Sequence, residues 1–319
     1  MQEFNSFYKE IDNRKFNTWC KYTKRLDTYG CGCQHDCKYC YAKSLLSFRN
    51  LWNNQEPRVA NIKKIENRIK KIPKGSIIKL GGMTDCFQPI ELKYRITYET
   101  IKLLNKYGIG YLIVTKSHLV ANDDYIKIYD KNLAHFQITI TTTNDDLSLT
   151  YEKASVPSKR IEAIEKLSKL GFDTCVRLSP FIEQYVDIKK VNNIECEKIL
   201  IEFLKVNHWV KKWFDIDYSD YIVKYGGYEH LSLEKKIELA NKITNFKEKS
   251  VGEYVKEHYE YFRDNYNSNK YDCCNLRGIR RMYQCQNCER EFDNPELIRD
   301  EIRCPYCYSG DVVGGEDVK

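Results

Sequence analysis

Three thiols stand close together in Cys33-Gln34-His35-Asp36-Cys37-Lys38-Tyr39-Cys40-Tyr41, separated by three and then two residues. Three thiolates on one tight loop can hold three irons of a [4Fe–4S] cube and leave the fourth iron open to a substrate. A structural zinc site would ask for a fourth protein ligand, for which Cys31 or His35 is at hand. Four more cysteines form two Cys-x-x-Cys pairs, Cys285/Cys288 and Cys304/Cys307, with fifteen residues between the pairs. Four thiolates at that spacing make a closed tetrahedral site, a zinc ribbon before a rubredoxin-like iron site. Tyr283 and Phe292 fill the space between, and so small a unit depends on its metal to fold. Cys273-Cys274 offer only two further ligands, so a packed thiol pair is expected there. Arg277, Arg280, Arg281 and Arg290 make the region basic, which suits phosphate contacts or an ordinary solvated surface.

The elements that must position these groups follow from periodicity and breakers. Strands are expected at Leu26–Gly30, Ser76–Leu80, Gly110–Thr115, Phe136–Thr142 and Phe172–Leu178. Helices are expected at Ala42–Asn54, Ile62–Lys71, Leu92–Lys106, Asn122–Asp130, Ser158–Leu170 and Cys196–Val206, with Gly171 ending the fifth. Such alternation implies an α/β fold with a parallel sheet under helices, closed partly into a (β/α)6 barrel. The strand C-terminal ends, where such barrels carry function, run into the cysteine loop, Gly81-Gly82-Met83-Thr84-Asp85-Cys86, Thr115-Lys116-Ser117-His118, Thr139-Ile140-Thr141 and Arg177-Leu178-Ser179-Pro180. Each offers hydroxyl, amide or charged groups at one rim. The expected layout is an N-terminal arm at 1–25, the barrel at 26–222, a helical extension at 223–272 and a cysteine-rich ribbon at 273–319. The aromatic run with Trp209, Trp213, Phe214, Tyr218 and Tyr221 reads as a core seam, or as a platform on which bases stack. Leu233–Phe246 and Val251–Asn265 read as helices.

The cysteine loop, with aromatics on both sides of its last thiol, resembles the cluster loop of radical S-adenosylmethionine (SAM) enzymes, in the spore photoproduct lyase-like branch. The segments Gly82–Asp85 with Gln88–Glu91, Thr115–Ser117, Tyr151-Glu152 through Pro157–Arg160, and Arg177–Pro180 are similar to the same branch, so the resemblance spans Leu26 to Pro180. It implies a [4Fe–4S] cluster on Cys33, Cys37 and Cys40, with S-adenosylmethionine chelating the open iron. The implied contacts to that cofactor are Gly81, Gly82, Thr84, Asp85, Lys116, Ser117, Thr139, Glu152 and Arg177. Glycines let backbone approach, Thr84 and Asp85 supply acceptors, and Lys116 meets the carboxylate. Tyr41 is the implied aromatic beside the cofactor. True spore photoproduct lyases carry a hydrogen-donating cysteine at the end of the second strand, where this chain has Gly82. Cys86, four residues on, is either a replacement donor or a small apolar side chain.

Fourteen cysteines in 319 residues, a start without a basic-then-apolar pattern, and no apolar run of about 18 residues give the expectation of a soluble, cytoplasmic protein without membrane contact. They point to metal chemistry in a reducing compartment. The net charge of +7 suits a polyanionic partner. The resulting expectation is a radical SAM enzyme that takes hydrogen from a nucleic-acid base or nucleotide, reduced by a reductase or flavodoxin-type donor, with a zinc ribbon. A radical enzyme acting on a peptide or metabolite, and a non-catalytic metal-stabilised nucleic-acid-binding protein, remain the alternatives.

Overall fold

The computed structural model describes residues 3–4, 9–10, 20–270, 272–277, 280–292, 295–298 and 301–318. Most of the expected N-terminal arm, Trp19 included, lies outside them, as do the side chains of Arg280 and Arg281.

Seven strands lie side by side in chain order: β1 (Tyr22–Leu26), β2 (Ile77–Leu80), β3 (Gly110–Thr115), β4 (Ala134–Ile140), β5 (Asp173–Phe181), β6 (Lys198–Phe203) and β7 (Glu248–Val251). All six neighbouring pairs are parallel. Parallel neighbours need long crossovers, and helices run in most of them: α1 (Tyr41–Ser47) and α2 (Ile62–Ile69) before β2, α3 (Ile96–Tyr107) before β3, α4 (Pro157–Lys169) before β5, and α5 (His208–Trp213) and α6 (Leu233–Asn241) before β7, while α7 (Lys256–Asn265) follows β7. Successive strand side chains alternate between faces. The helix-facing set, Ile78, Leu80, Ile113, Phe136, Ile138, Val176, Leu178, Ile199 and Ile201, joins Ile101, Leu104, Ile164 and Leu167 in the main core. The opposite face holds Ile77, Leu112, Cys175 and Leu200 in a second cluster with Cys20, Tyr22, Cys274 and Leu276.

Several expectations are corrected. Cys196–Val206 is not a helix, because Lys198–Phe203 is a sheet strand. Its Ile199-Leu200-Ile201 run is buried on both sides, and a short continuous apolar run has no period to separate strand from helix. The same ambiguity hid β7 inside the stretch expected as a helical extension, and α7 begins only at Lys256. The first strand is Tyr22–Leu26 rather than Leu26–Gly30, while Tyr29-Gly30 pairs with Arg58–Ala60. Leu92–Lys106 is broken at Arg95, which takes φ 54°. Buried Glu91 explains the break, since its carboxylate accepts the Thr97 and Tyr98 N–H groups at 2.9 and 3.0 Å and starts a new helix. Asn122–Asp130 holds only a short turn of helix, Asp123–Ile126.

Cys273 and Cys274 do not belong to the ribbon. The segment Asp272–Arg277 folds under the N-terminal end of the barrel, where Lys198 Nζ donates to the Asn275 carbonyl at 2.5 Å and Arg277 N–H donates to Asp173 at 3.0 Å. The ribbon is a sheet of β8 (Arg280–Cys285) between Glu291-Phe292 and β9 (Val312–Val318), with a hairpin of Glu296–Ile298 and Glu301–Arg303. Tyr283 and Phe292 stack at 5.7 Å over Cys285 and Cys304.

Candidate active site

The loop after β1 carries Cys33, Cys37 and Cys40 to the mouth of the barrel, and the chain on either side clamps it. Gln34 N–H donates to the Gln88 side chain at 2.9 Å, and Ile90 N–H donates to the Gln34 side chain at 2.6 Å. On the other side, Lys38 N–H reaches the Tyr151 carbonyl at 2.9 Å and Lys153 N–H reaches the His35 carbonyl at 2.6 Å. Asp36 turns the loop at φ 42° and is held by Lys43 and Lys153, each at 3.1 Å. Gly32 must be glycine, since a Cβ there would lie 1.9 Å from the Asn53 carbonyl oxygen.

Two of the three thiols face backbone N–H groups, while Cys37 faces the His35 carbonyl at 3.8 Å. Cys33 receives the N–H groups of Asp85 and His35, and Cys40 caps α1, receiving Lys43 N–H at 3.4 Å. All fourteen cysteines are free. Burial pushes the Cys33 thiol up to about 12 and raises Cys37 and Cys40 as well, so these thiolates call for a positive partner. Among the described residues, Cys285, Cys288, Cys304 and Cys307 are the one group of three or more possible ligands within 4.8 Å of one another. The loop thiols stand wider. A cube that gives each thiolate its own iron fits that donor set better than a single zinc ion.

Behind the loop, Glu152 and Arg160 form a fully buried ion pair. Glu152 also accepts from the Tyr39 hydroxyl and from Thr141 at 3.0 Å, with Cys37 Sγ 3.7 Å away. Glu152 was expected at the cofactor, and its oxygens are instead taken up in holding the loop. Asp85 behaves alike: it accepts from Thr115 Oγ1 and Lys116 N–H, each at 2.7 Å, and from Phe87 N–H at 2.8 Å. Its burial would raise the pKa, but the His35 ring 3.3 Å away and these donors outweigh it and bring it down to about 2. His35 is thus buried, not solvent-facing. Thr84 donates to the Tyr29 carbonyl, and Ser117 caps the turn after β3. Thr139 is buried, and its carbonyl accepts from Arg160 at 3.0 Å.

Other expected residues remain at the open mouth. Lys116 Nζ lies 5.5 Å from the centre of the Tyr39 ring, and the charges of Cys37 and Glu152 outweigh its burial and raise its pKa. Tyr41 has a half-exposed ring and donates its hydroxyl to the Gly82 carbonyl at 2.5 Å. Gly81 takes φ +83°, and a Cβ there would meet the Val114 carbonyl oxygen at 2.6 Å, which fixes both glycine and the close packing of the two strand ends. Arg177 reaches Gln137 at 2.6 Å and pairs with Glu202 on the inner face. Cys86 is not at the rim. Its side chain is fully buried in the main core, as a small apolar residue would be. Phe214 packs against Tyr39 and Tyr151 as a seam, while Trp209 stays exposed.

No motif or spacing pointed to Asp27. It follows β1, is buried, and accepts the Gly82 and Met83 N–H groups at 2.7 and 3.1 Å, shaping the second strand end. Burial outweighs those bonds and raises its pKa to about 6.

In the ribbon the two pairs are built alike. Glu289 and Tyr308, each just after the second cysteine of its pair, have φ near +57° and +59°. Cys285 N–H donates to the Arg290 carbonyl at 3.0 Å and Cys304 N–H to that of Ser309 at 2.9 Å. The facing Sγ pairs, Cys285/Cys307 and Cys288/Cys304, are 3.6 Å apart, close enough for one tetrahedral ion to bind all four. Arg290 covers the Tyr306 ring at 5.0 Å. Arg277, expected nearby, is instead at the barrel floor.

Among known proteins, an uncharacterized protein of Methanocaldococcus jannaschii is 29% identical over 164 residues, 50% of this chain and 61% of that one. An uncharacterized protein of Acidianus two-tailed virus is 26% identical over 168 residues, 48% of this chain and 54% of that one. The matches thus take in less than two thirds of either relative. In fold, a spore photoproduct lyase complexed with a dinucleoside spore photoproduct superposes with a TM-score of 0.55 at 14% identity, covering 79% of this chain and 76% of that one. A mutant lyase with bound AdoMet gives 0.54 at 14% identity, covering 78% of each. The family model for the radical SAM superfamily matches residues 28–190, just over half the chain, and by that match the chain belongs to the superfamily.

Proposed function

We propose that this radical SAM enzyme binds a [4Fe–4S] cluster through Cys33, Cys37 and Cys40 and acts on a nucleic-acid base or nucleotide. The observation that carries the cluster assignment is the clamped, buried three-thiol loop at the C-terminal mouth of a parallel barrel. When bound, the cluster and S-adenosylmethionine supply a 5′-deoxyadenosyl radical able to take a hydrogen atom from a substrate. The chain's own groups do the positioning. Lys116 would meet the cofactor carboxylate beside Cys37, Tyr41 would pack against the cofactor, and the Gly81-Gly82 backbone would leave room for it at the second strand end. The Glu152–Arg160–Tyr39 network keeps the loop from shifting. The inner barrel face then bounds the substrate and excludes bulk water from the radical. A reductase or flavodoxin-type donor would reduce the cluster, and the ribbon would hold zinc through Cys285, Cys288, Cys304 and Cys307.

A nucleic-acid substrate is supported by the net charge of +7 and by the resemblance to an enzyme whose solved complex contains a dinucleoside. The test is isotope transfer. Oligonucleotides deuterated on base and sugar are expected to pass deuterium into 5′-deoxyadenosine. Transfer from a deuterated peptide and from no nucleic acid would select the peptide-modifying alternative instead.

A further inference from the structure

Parallel strands covered on both faces usually carry apolar side chains on both, yet the inner face here carries charged residues within its strands. Register sets Arg25 of β1 beside Lys79 of β2. On β5, Arg177 shares this face, bonded to Gln137 of β4 at 2.6 Å and paired with Glu202 of β6, which also accepts from Ser179 at 2.8 Å. The Arg25 stem lies along the second strand end, 3.4 Å from where a Gly82 Cβ would stand. Lys79 Nζ lies 5.7 Å from the centre of the Tyr22 ring. Below this layer, Cys20, Tyr22, Cys274 and Leu276 close the barrel floor.

The layer is short of acceptors. Arg25 Nε and the fully buried Gln137 Nε2 have no hydrogen-bond partner, and neither Arg25 nor Lys79 has an ion-pair partner among the described residues. Burial, with Arg177 and Arg25 nearby, lowers the Lys79 pKa to about 8. Three cations face two carboxylates, Glu202 and Asp27, and Asp27 is already taken up by the Gly82 and Met83 N–H groups. Exposed Lys205 adds charge beside Glu202. An anion is what such a layer lacks.

We propose that Arg25, Lys79 and Arg177, with the Gln137 amide, form an oxyanion site inside the barrel that takes the phosphate of a nucleotide substrate. Guanidinium, ammonium and amide donors come from four strands, and a phosphate's tetrahedral oxygens can meet donors from several sides where a planar carboxylate cannot. The site is separate from Lys116. That residue follows the end of β3 beside Cys37, whereas Lys79 is a residue of β2 itself, beside Arg25 of β1. The inference rests on the nucleotide reading above and gives it a point of attachment.

The experiment is equilibrium dialysis of the full chain against a labelled deoxynucleoside 5′-monophosphate, the matching nucleoside, S-adenosylmethionine and an acidic dipeptide. Wild type, Arg25→Gln and Lys79→Met are compared, and thermal melts confirm folding. Lys79→Met keeps side-chain length and relieves cation crowding, so it is expected to fold at least as well as wild type. The monophosphate is expected to bind at least about tenfold tighter than the nucleoside, and each variant to lose about tenfold for the monophosphate alone, as removal of a charged hydrogen bond does. Equal binding of nucleoside and monophosphate would overturn the site. So would variants that weaken only S-adenosylmethionine, which would assign these cations to the cofactor, or only the dipeptide. Cofactor cleavage together with no monophosphate preference would remove this site and leave the radical reading intact.

Discussion

Glu152 and Arg160 are both withdrawn from water, and a buried ion pair holds only when every oxygen and N–H is met. Here Thr141, Tyr39 and the Thr139 and Ser155 carbonyls meet them. Glu152→Gln leaves the guanidinium charge stranded and is expected to cost on the order of 3–5 kcal/mol. A denaturant midpoint and the iron retained per chain should fall together, and an unchanged midpoint would contradict the network's role. Asp173 makes a second prediction. Its burial would raise the pKa, but His135 at 2.6 Å and Lys198 at 2.8 Å outweigh it and hold the carboxylate below its ordinary range. A depressed folded pKa gives stability that is present above the unfolded value of about 4 and is lost as pH falls below it. The acid unfolding transition should therefore be steeper in wild type than in Asp173→Asn, read by circular dichroism. At this scale the proposed cluster ligands were legible because chemistry fixes their spacing: Cys33, Cys37 and Cys40 are neighbours in the chain. Asp27 was not, and Gln88 and Arg160 were legible only as members of similar segments without a role, because each acts on a partner brought near only by the fold. The sequence left Cys86 open between a donor and a small apolar side chain and could not show that Glu152 faces Arg160 and Tyr39, since a motif names a residue without saying which way it faces.

Among elements, the alternation of strand and helix up to Leu178 was readable because turn residues punctuate it, Gly75 and Gly171 among them. Beyond it, β6 and β7 were not. Their sequences, Lys198–Phe203 and Glu248–Val251, are too short and too evenly buried for period to speak, and only pairing identifies them, β6 with β5 and β7 with β6. The ribbon was legible from cysteine spacing alone, and its two matched turns argue that the metal organises it. Loss of the ion should therefore unfold this element alone. Cys304→Ser is expected to lower bound zinc by about one ion per chain, the single site that four thiolates make, and to expose residues beyond 280 to protease while the barrel keeps its cluster absorption. Equal zinc in the variant would contradict the site, and loss of the cluster with it would show that the two elements fold as one.

For the whole molecule, the barrel sets a buried thiol loop over a charged inner face, with the floor closed by a segment from near the C-terminal end. The proposed cofactor site at the mouth and the proposed phosphate site beneath it rest on that stacking. Among the described residues, no helix is long and apolar enough to cross a membrane. The two proposed metal sites also account for the unusual cysteine content: they take seven thiols, while Cys20, Cys175 and Cys274 line the floor as small apolar groups. The measurement that bears most directly on the account is production of 5′-deoxyadenosine by the anaerobically reconstituted, dithionite-reduced protein given S-adenosylmethionine. Wild type is predicted to form it, and Cys37→Ala to form none while keeping its ribbon metal. No product from a wild-type protein that has taken up iron and sulfide, or equal product from Cys37→Ala, would contradict the assignment of the loop.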